Sequence, residues 1–158
     1  VVEVEGQAGH DAAIKRHDGF IKGIEGTKIN LLASMAPTQW ATAEALSITE
    51  NMVVKYGDKI NAIFCHWDNG ATGCIEALKA AKMNDVIVIG IDGCKAGYNQ
   101  VKDGAQYATI SIDADKLVRG CMDTAKKAIN KEPFDAKNLV GFDLITQANI
   151  DQFPVPEW

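Results

Sequence analysis

Val86-Ile87-Val88-Ile89-Gly90-Ile91 is apolar at nearly every position. A strand with one face in water alternates apolar and polar residues, and this one does not. Its composition fits a strand covered on both faces, as in a parallel sheet held between layers of helices. The rest of the chain follows the same logic. Val1–Glu5, Ile29–Ser34, Ala62–Cys65, Tyr107–Ile112 and Leu139–Thr146 read as further strands. Between them, helical periodicity is expected over His10–Gly23, from Pro37-Thr38 to about Lys55, to near Lys82, over Lys95–Lys102 and over Asp115–Asn130. Thr38 is placed to cap the second helix, and Asp68 or Asn69 the third. Strand and helix alternate five times before a final strand. That pattern predicts an α/β fold: a doubly wound, mainly parallel sheet with helices on both faces.

Length and charge exclude several classes. At 158 residues, 47% hydrophobic and 23% charged, the chain can bury a core without disulfide or metal staples. Its 21 acidic against 16 basic residues give a net charge of −5, so it lacks the basic footprint of a nucleic-acid binder. No apolar run approaches the roughly 20 residues of a membrane span. Cys65, Cys74, Cys94 and Cys121 are 9, 20 and 27 residues apart. Zinc ligands usually pair at closer spacing, and four cysteines are too few for a disulfide scaffold. They read as small buried hydrophobes, with a single disulfide left open.

In open α/β sheets, ligands bind outside the carboxyl ends of the strands. Those ends carry Gly6–Asp11 with Arg16 on the following helix, then Pro37, Gln39 and Trp40, then His66, Trp67 and Asp68, then Asp92, Gly93 and Cys94, and finally Asp113 and Asp115. Two tryptophans thus share a rim with Arg16, Asp68 and Asp92. Aromatic faces suit C–H surfaces, and charged side chains bind hydroxyls, so the set suits a polar, ring-shaped ligand. Each residue also has a purely structural reading: Asp68 as a helix cap, Asp92-Gly93 as turn chemistry, the tryptophans as core anchors, and Arg16 as a surface residue. His10, His17 and His66 form no spaced cluster, and no nucleophile motif accompanies them. Gly6-x-x-Gly9 lacks the longer phosphate-binding fingerprint. No catalytic residue, metal or organic cofactor is implied.

Gly6–Phe20, Ala62–Asp68 with Ala71 and Gly73, Val86–Gly93, Asp103-Gly104 with Ala108-Thr109-Ile110, and the closing strand resemble the sugar-binding periplasmic proteins of the ribose-binding type. The match covers nearly the whole chain and lies in the second half of that family's sequence. The resemblance implies a flavodoxin-like lobe of a type I periplasmic-binding-protein fold, in which two lobes close on a sugar. It implies capture without catalysis, an extracytoplasmic location (the periplasm, or a surface lipoprotein in a Gram-positive cell), delivery to an ABC-transporter permease, and in some members contact with a chemoreceptor.

By resemblance, Arg16 falls where an arginine bonds sugar oxygens, Trp40 where an aromatic ring packs on the sugar, and Asp92 where an aspartate accepts sugar hydroxyls. Trp67 stands where ribose binders place an asparagine. Ile112 or Ala114 stands where they place a hinge glutamine. The exchange favours a hexose, a pyranose disaccharide or a less polar polyol over ribose. The expected organisation is a ligand-binding lobe over 1–112, a hinge-following helix and loop over 113–138 that packs on a missing N-terminal lobe, and a final strand and tail over 139–158. The strand at Val1 reads as the start of a processed chain or fragment, for which weak or no sugar binding is expected alone. Rival readings are the sensing core of a sugar-responsive repressor and a flavodoxin-like enzyme or receiver.

Overall fold

The computed structural model describes residues 1–158. Six strands form one sheet: β1 (Val2–Val4), β2 (Ala33–Met35), β3 (Ala62–Cys65), β4 (Ile87–Asp92), β5 (Ala108–Ile112) and β6 (Phe142–Thr146). Their order is β2-β1-β3-β4-β5-β6. The first five are parallel, and β6 pairs antiparallel to β5, with Thr109 opposite Ile145. The helices are α1 (Asp11–Ile24), α2 (Thr42–Tyr56), α3 (Asp68–Ala80), α4 (Lys95–Lys102) and α5 (Ala114–Ile129). The expected α/β fold is therefore the observed one.

The crossover after β1 runs one way along the sheet, and those after β2, β3 and β4 run the other way. Right-handed crossovers of opposite direction place their helices on opposite faces. Accordingly Glu3, from the α1 face, meets His17, and Phe64 stacks on Phe20 at 4.7 Å between ring centroids. From the opposite face Val2, Val4, Ile63 and Val88 join Ala45, Ile48, Met52, Ala71, Cys74 and Leu78 of α2 and α3 in the main core. A smaller core joins Tyr98 and Val101 of α4 to Ile145 of β6 and Ile150. The direction changes between β1 and β3, and the carboxyl ends of those two strands form the natural crevice.

Three local expectations shift. The second strand begins at Ala33 rather than Ile29, and Ile29 is exposed. Thr38 does not cap α2, which starts at Thr42 after Ala41. Its hydroxyl and amide instead bind the Glu44 carboxylate, tying the preceding loop to the first helical turn. Asp68 is the first residue of α3 rather than its cap, which is Trp67. Helix α1, in contrast, has a side-chain cap that its sequence does not advertise: His10 Nδ1 accepts from the Ala12 amide.

Helix α5 differs from the others. It buries no residue, and Leu117, Val118 and Met122 are exposed along it. On the α1 face of the sheet, Ile87, Phe142 and Leu144 are likewise exposed. Cys65, Cys74 and Cys94 are buried, and Cys121 on α5 is exposed.

Candidate ligand-binding site

The crevice between β1 and β3 is built around Arg16. This side chain projects from the second turn of α1 across the sheet edge. Its Nη1 donates to the His66 carbonyl, and its Nη2 to Asp92 Oδ1 at 3.2 Å. The guanidinium lies 5.6 Å from the centre of the Trp40 ring, a cation–π distance. Arg16 and Asp92 keep 21% and 23% of their side-chain surface exposed, enough to be reached from the rim.

Trp40 is partly buried. It rests on Gly6, where a Cβ would lie 1.9 Å from ring atom Cη2. Glycine is thus required by close approach of the ring. Trp40 meets His10 edge-on at 5.5 Å and Trp67 edge-on at 5.3 Å.

Asp92 ends β4 in a left-handed conformation, φ +124°, followed by Gly93 at φ +67°. Burial pushes its pKa up to about 6, offset in part by the Arg16 charge and reinforced by the negative charge of Asp68.

The remaining two expected site residues sit deeper. Trp67 is 4% exposed and belongs to the main core, backing Trp40 rather than lining the rim. A Cβ at Gly70 would lie 2.4 Å from Trp67 Cε2, so the indole folds back over its own helix. Asp68 is fully buried. Its carboxylate accepts from the Gly93 and Cys94 amides at 2.8 and 3.3 Å, from Gln106 Nε2 at 2.9 Å and from the Thr109 hydroxyl at 2.8 Å. A ligand has no route to either side chain in this arrangement. Asp113, between the two hinge candidates, caps α5 by accepting from the Lys116 amide at 2.9 Å.

Two histidines that appear unrelated in sequence meet at Glu3. The Gly6 amide donates to His66 Nδ1 at 3.0 Å. That nitrogen is therefore an acceptor, and the proton on Nε2 points to Glu3 Oε1 at 2.9 Å. His17 Nδ1 lies 2.8 Å from Glu3 Oε2. Ser34 bonds both Glu3 and Glu5. Burial pushes the Glu3 carboxyl upward, but hydrogen bonds from His66, Ser34 and His17 outweigh it and hold the group below its ordinary value. Partial burial works against the His17 imidazolium, but the bond and charge of Glu3 prevail and raise its pKa. Ligand atoms of Glu3, Glu5 and His17 lie within 4.8 Å of one another. Ser34 and His66 already engage the carboxylates, so the cluster serves as a hydrogen-bonded brace beneath the Gly6 loop. The Gly6 amide, spent on His66, is not free to cradle a phosphate.

A neutral-to-polar rim of one arginine, one carboxylate and one broad aromatic face can bind hydroxyls and a ring face, but it holds no activated nucleophile. Residues 1–133 match the periplasmic binding protein domain, and the chain belongs to that family. It is 35% identical over 147 residues to the ribose import binding protein RbsB of Haemophilus influenzae, covering 93% of this chain and 49% of that protein. Its identity to the Escherichia coli K12 counterpart is 33% over the same length and shares. Among solved structures, it superposes with TM-score 0.90 and 28% identity on an ABC transporter periplasmic solute-binding protein from Actinobacillus succinogenes with bound D-allose, covering 96% of this chain and 54% of that one. A solute-binding protein from Bacillus halodurans with bound myo-inositol gives TM-score 0.85 and 27% identity, covering 96% and 53%. The chain thus spans about half the length of the curated relatives it matches.

Proposed function

We propose that this chain is one jaw of a two-lobed, extracytoplasmic solute-binding protein that captures a sugar or sugar-like polyol and delivers it to an ABC-transporter permease. The observation that carries the reading is the Arg16–Asp92 pair set against the Trp40 ring at the switch point of the sheet. Asp92 accepts ligand hydroxyls, Arg16 donates to ring or hydroxyl oxygens, and Trp40 covers the less polar ring face. Arg16 keeps a second anchor on the His66 carbonyl, so it can share Asp92 with a ligand without losing its position. The protein performs no chemistry on the ligand.

Trp67, buried behind Trp40, supports the aromatic wall from the core and offers the ligand no hydrogen bond at the position where ribose binders place an asparagine. A hexose, a pyranose disaccharide or a polyol fits this rim better than ribose. Relatives with bound D-allose and myo-inositol are in keeping with that preference. The exposed stripe of Leu117, Val118 and Met122 on α5 supports assigning 113–138 to the contact with the second lobe, which supplies the other half of the site. Closure of the two lobes then buries the ligand and creates the state that the permease recognises.

Isothermal calorimetry of the two-lobed protein with D-ribose, D-allose, myo-inositol and xylitol tests the reading. Binding is expected in the micromolar range or tighter for at least one hexose or polyol, with ribose weaker. Absence of heat from every member of this panel and from a wider sugar screen by thermal shift would overturn it.

A further inference from the structure

Asp68 has no access to a ligand, yet its carboxylate takes hydrogen bonds from four different residues, all of them neutral donors. Two of those donors are the amides that directly follow Asp92. Asp92 and Gly93 are consecutive residues with positive φ, a conformation that a non-glycine residue holds only when its surroundings enforce it. The surroundings here are specific. The Gly93 amide is shared between Asp68 Oδ2 at 2.8 Å and Thr109 Oγ1 at 3.1 Å. The Thr109 hydroxyl in turn donates to Asp68. A Cβ at Gly93 would lie 2.5 Å from the Ser111 side chain, so the turn is pressed onto β5. Cβ atoms at Gly90 and Gly97 would meet the Asp68 carboxylate at 2.2 and 2.0 Å. Two glycines therefore leave room for this one buried carboxylate.

We infer that Asp68 is a positioning residue for Asp92: its carboxylate clamps the Gly93 and Cys94 amides and so holds the strained turn that aims Asp92 at Arg16 and the ligand. The inference rests on the reading of Asp92 as a sugar-binding group. Burial favours the protonated form of Asp68, and the hydrogen bonds from Gln106, Thr109, Gly93 and Cys94 oppose that shift. An asparagine has nearly the same shape but replaces one acceptor oxygen with a donor and removes the charge. It cannot satisfy all four neighbours at once.

The test compares the parent two-lobed protein with Asp68→Asn and Thr109→Val. Hydrogen exchange at the Gly93 and Cys94 amides, followed by NMR without sugar, is expected to accelerate at least tenfold in Asp68→Asn. The affinity for whichever sugar the parent binds should fall at least tenfold. The charged or titratable groups facing Asp92 are Arg16 from α1, Asp68 from α3 and the Cys94 thiol at the head of α4. Removing the Asp68 charge should therefore lower the NMR titration midpoint of Asp92. Thr109→Val loosens the same amide without removing a charge, and should speed exchange without that drop. It also carries the exchange test if Asp68→Asn does not fold. Unchanged exchange, or faster exchange with undiminished sugar affinity, overturns the inference. A parent that binds no sugar overturns the functional reading instead, and the exchange rates and the Asp92 midpoint still decide whether Asp68 holds the turn.

Discussion

Replacing Asp92 with asparagine should strengthen the fold while weakening the site. The Asp92 carboxyl is 77% withdrawn from solvent, and burial lifts its pKa from 3.8 to about 6 despite the nearby Arg16. The unfolded chain keeps the ordinary value. Between the two, the folded protein holds a proton that the unfolded chain has released, so stability falls as pH rises from about 4 to about 6. At 1.36 kcal/mol per tenfold change, keeping Asp92 charged above that window costs about 2–3 kcal/mol. Asparagine has the same shape and no charge, and Arg16 retains the His66 carbonyl. In urea denaturation at pH 8, Asp92→Asn should therefore gain about 2–3 kcal/mol, or roughly 5–10 °C in melting temperature for a domain of this size. At pH 4 the gain should shrink to near zero. Sugar affinity should fall by about tenfold to a hundredfold, the range for losing a charge-assisted hydrogen bond. A variant less stable than the parent at pH 8, or one whose gain is the same at both pH values, would refute the claim that a buried charge strains this site.

Other substitutions probe the supporting shell. Gly6→Ala puts a methyl group into the Trp40 ring; displacing the ring should cost about 1–3 kcal/mol and lower sugar affinity more than tenfold by calorimetry. Trp67→Ala should destabilise by about 3–5 kcal/mol, as large-to-small core changes do, and should weaken ligand binding by removing the wall behind Trp40; an unchanged affinity would detach Trp67 from the site. The raised pKa of His17 means its bond to Glu3 contributes stability below about pH 6.5, and the contribution is lost as pH rises through the folded value. His17→Gln should therefore destabilise at pH 6 and make little difference at pH 9 in paired denaturation curves. Leu117→Gln with Met122→Gln should change the stability of the 158-residue chain by less than about 0.5 kcal/mol, because α5 buries nothing.

The alternation of elements, the mainly parallel sheet and the carboxyl-end rim were legible because they depend on local periodicity and on the rule that ligands bind outside the carboxyl ends of parallel strands; the strand order was not read from the sequence. The apolar run Val86–Ile91 marked a strand of the sheet, with Asp92 at its end, but its expected two-sided burial holds only in part: Val88, Gly90 and Ile91 are buried, whereas Ile87 on the α1 face is exposed. Arg16 was legible for a similar reason, since the helix after β1 must return over the sheet edge. The depth of a side chain was harder to read. Trp67 and Asp68 are adjacent at a strand–helix junction, and nothing in their own types says that one folds beneath Trp40 and the other beneath β4. The signals lie elsewhere, in Gly70, Gly90 and Gly97, whose missing Cβ atoms make the space. The Glu3 brace was invisible for a different reason. It requires the β1–β3 register, with Glu3 beside Phe64, to bring residues 3, 17 and 66 together. Thr38 misled because a threonine after proline looks like a cap, whereas its partner is Glu44, six residues on.

The distribution of cysteines gives experimenters a handle. Of the four thiols, Cys121 alone is exposed, and it sits on α5 between Val118 and Met122. A maleimide dye would accordingly attach at one position, distant in sequence from the Arg16–Trp40–Asp92 rim. If that helix rests against the second lobe, labelling slows in the two-lobed protein compared with this chain, and the emission of an attached dye follows any change at that contact. The helix that adds least to the core thus becomes a ready-made gauge of lobe movement, and a starting point for a fluorescent sugar sensor that needs no engineered residue.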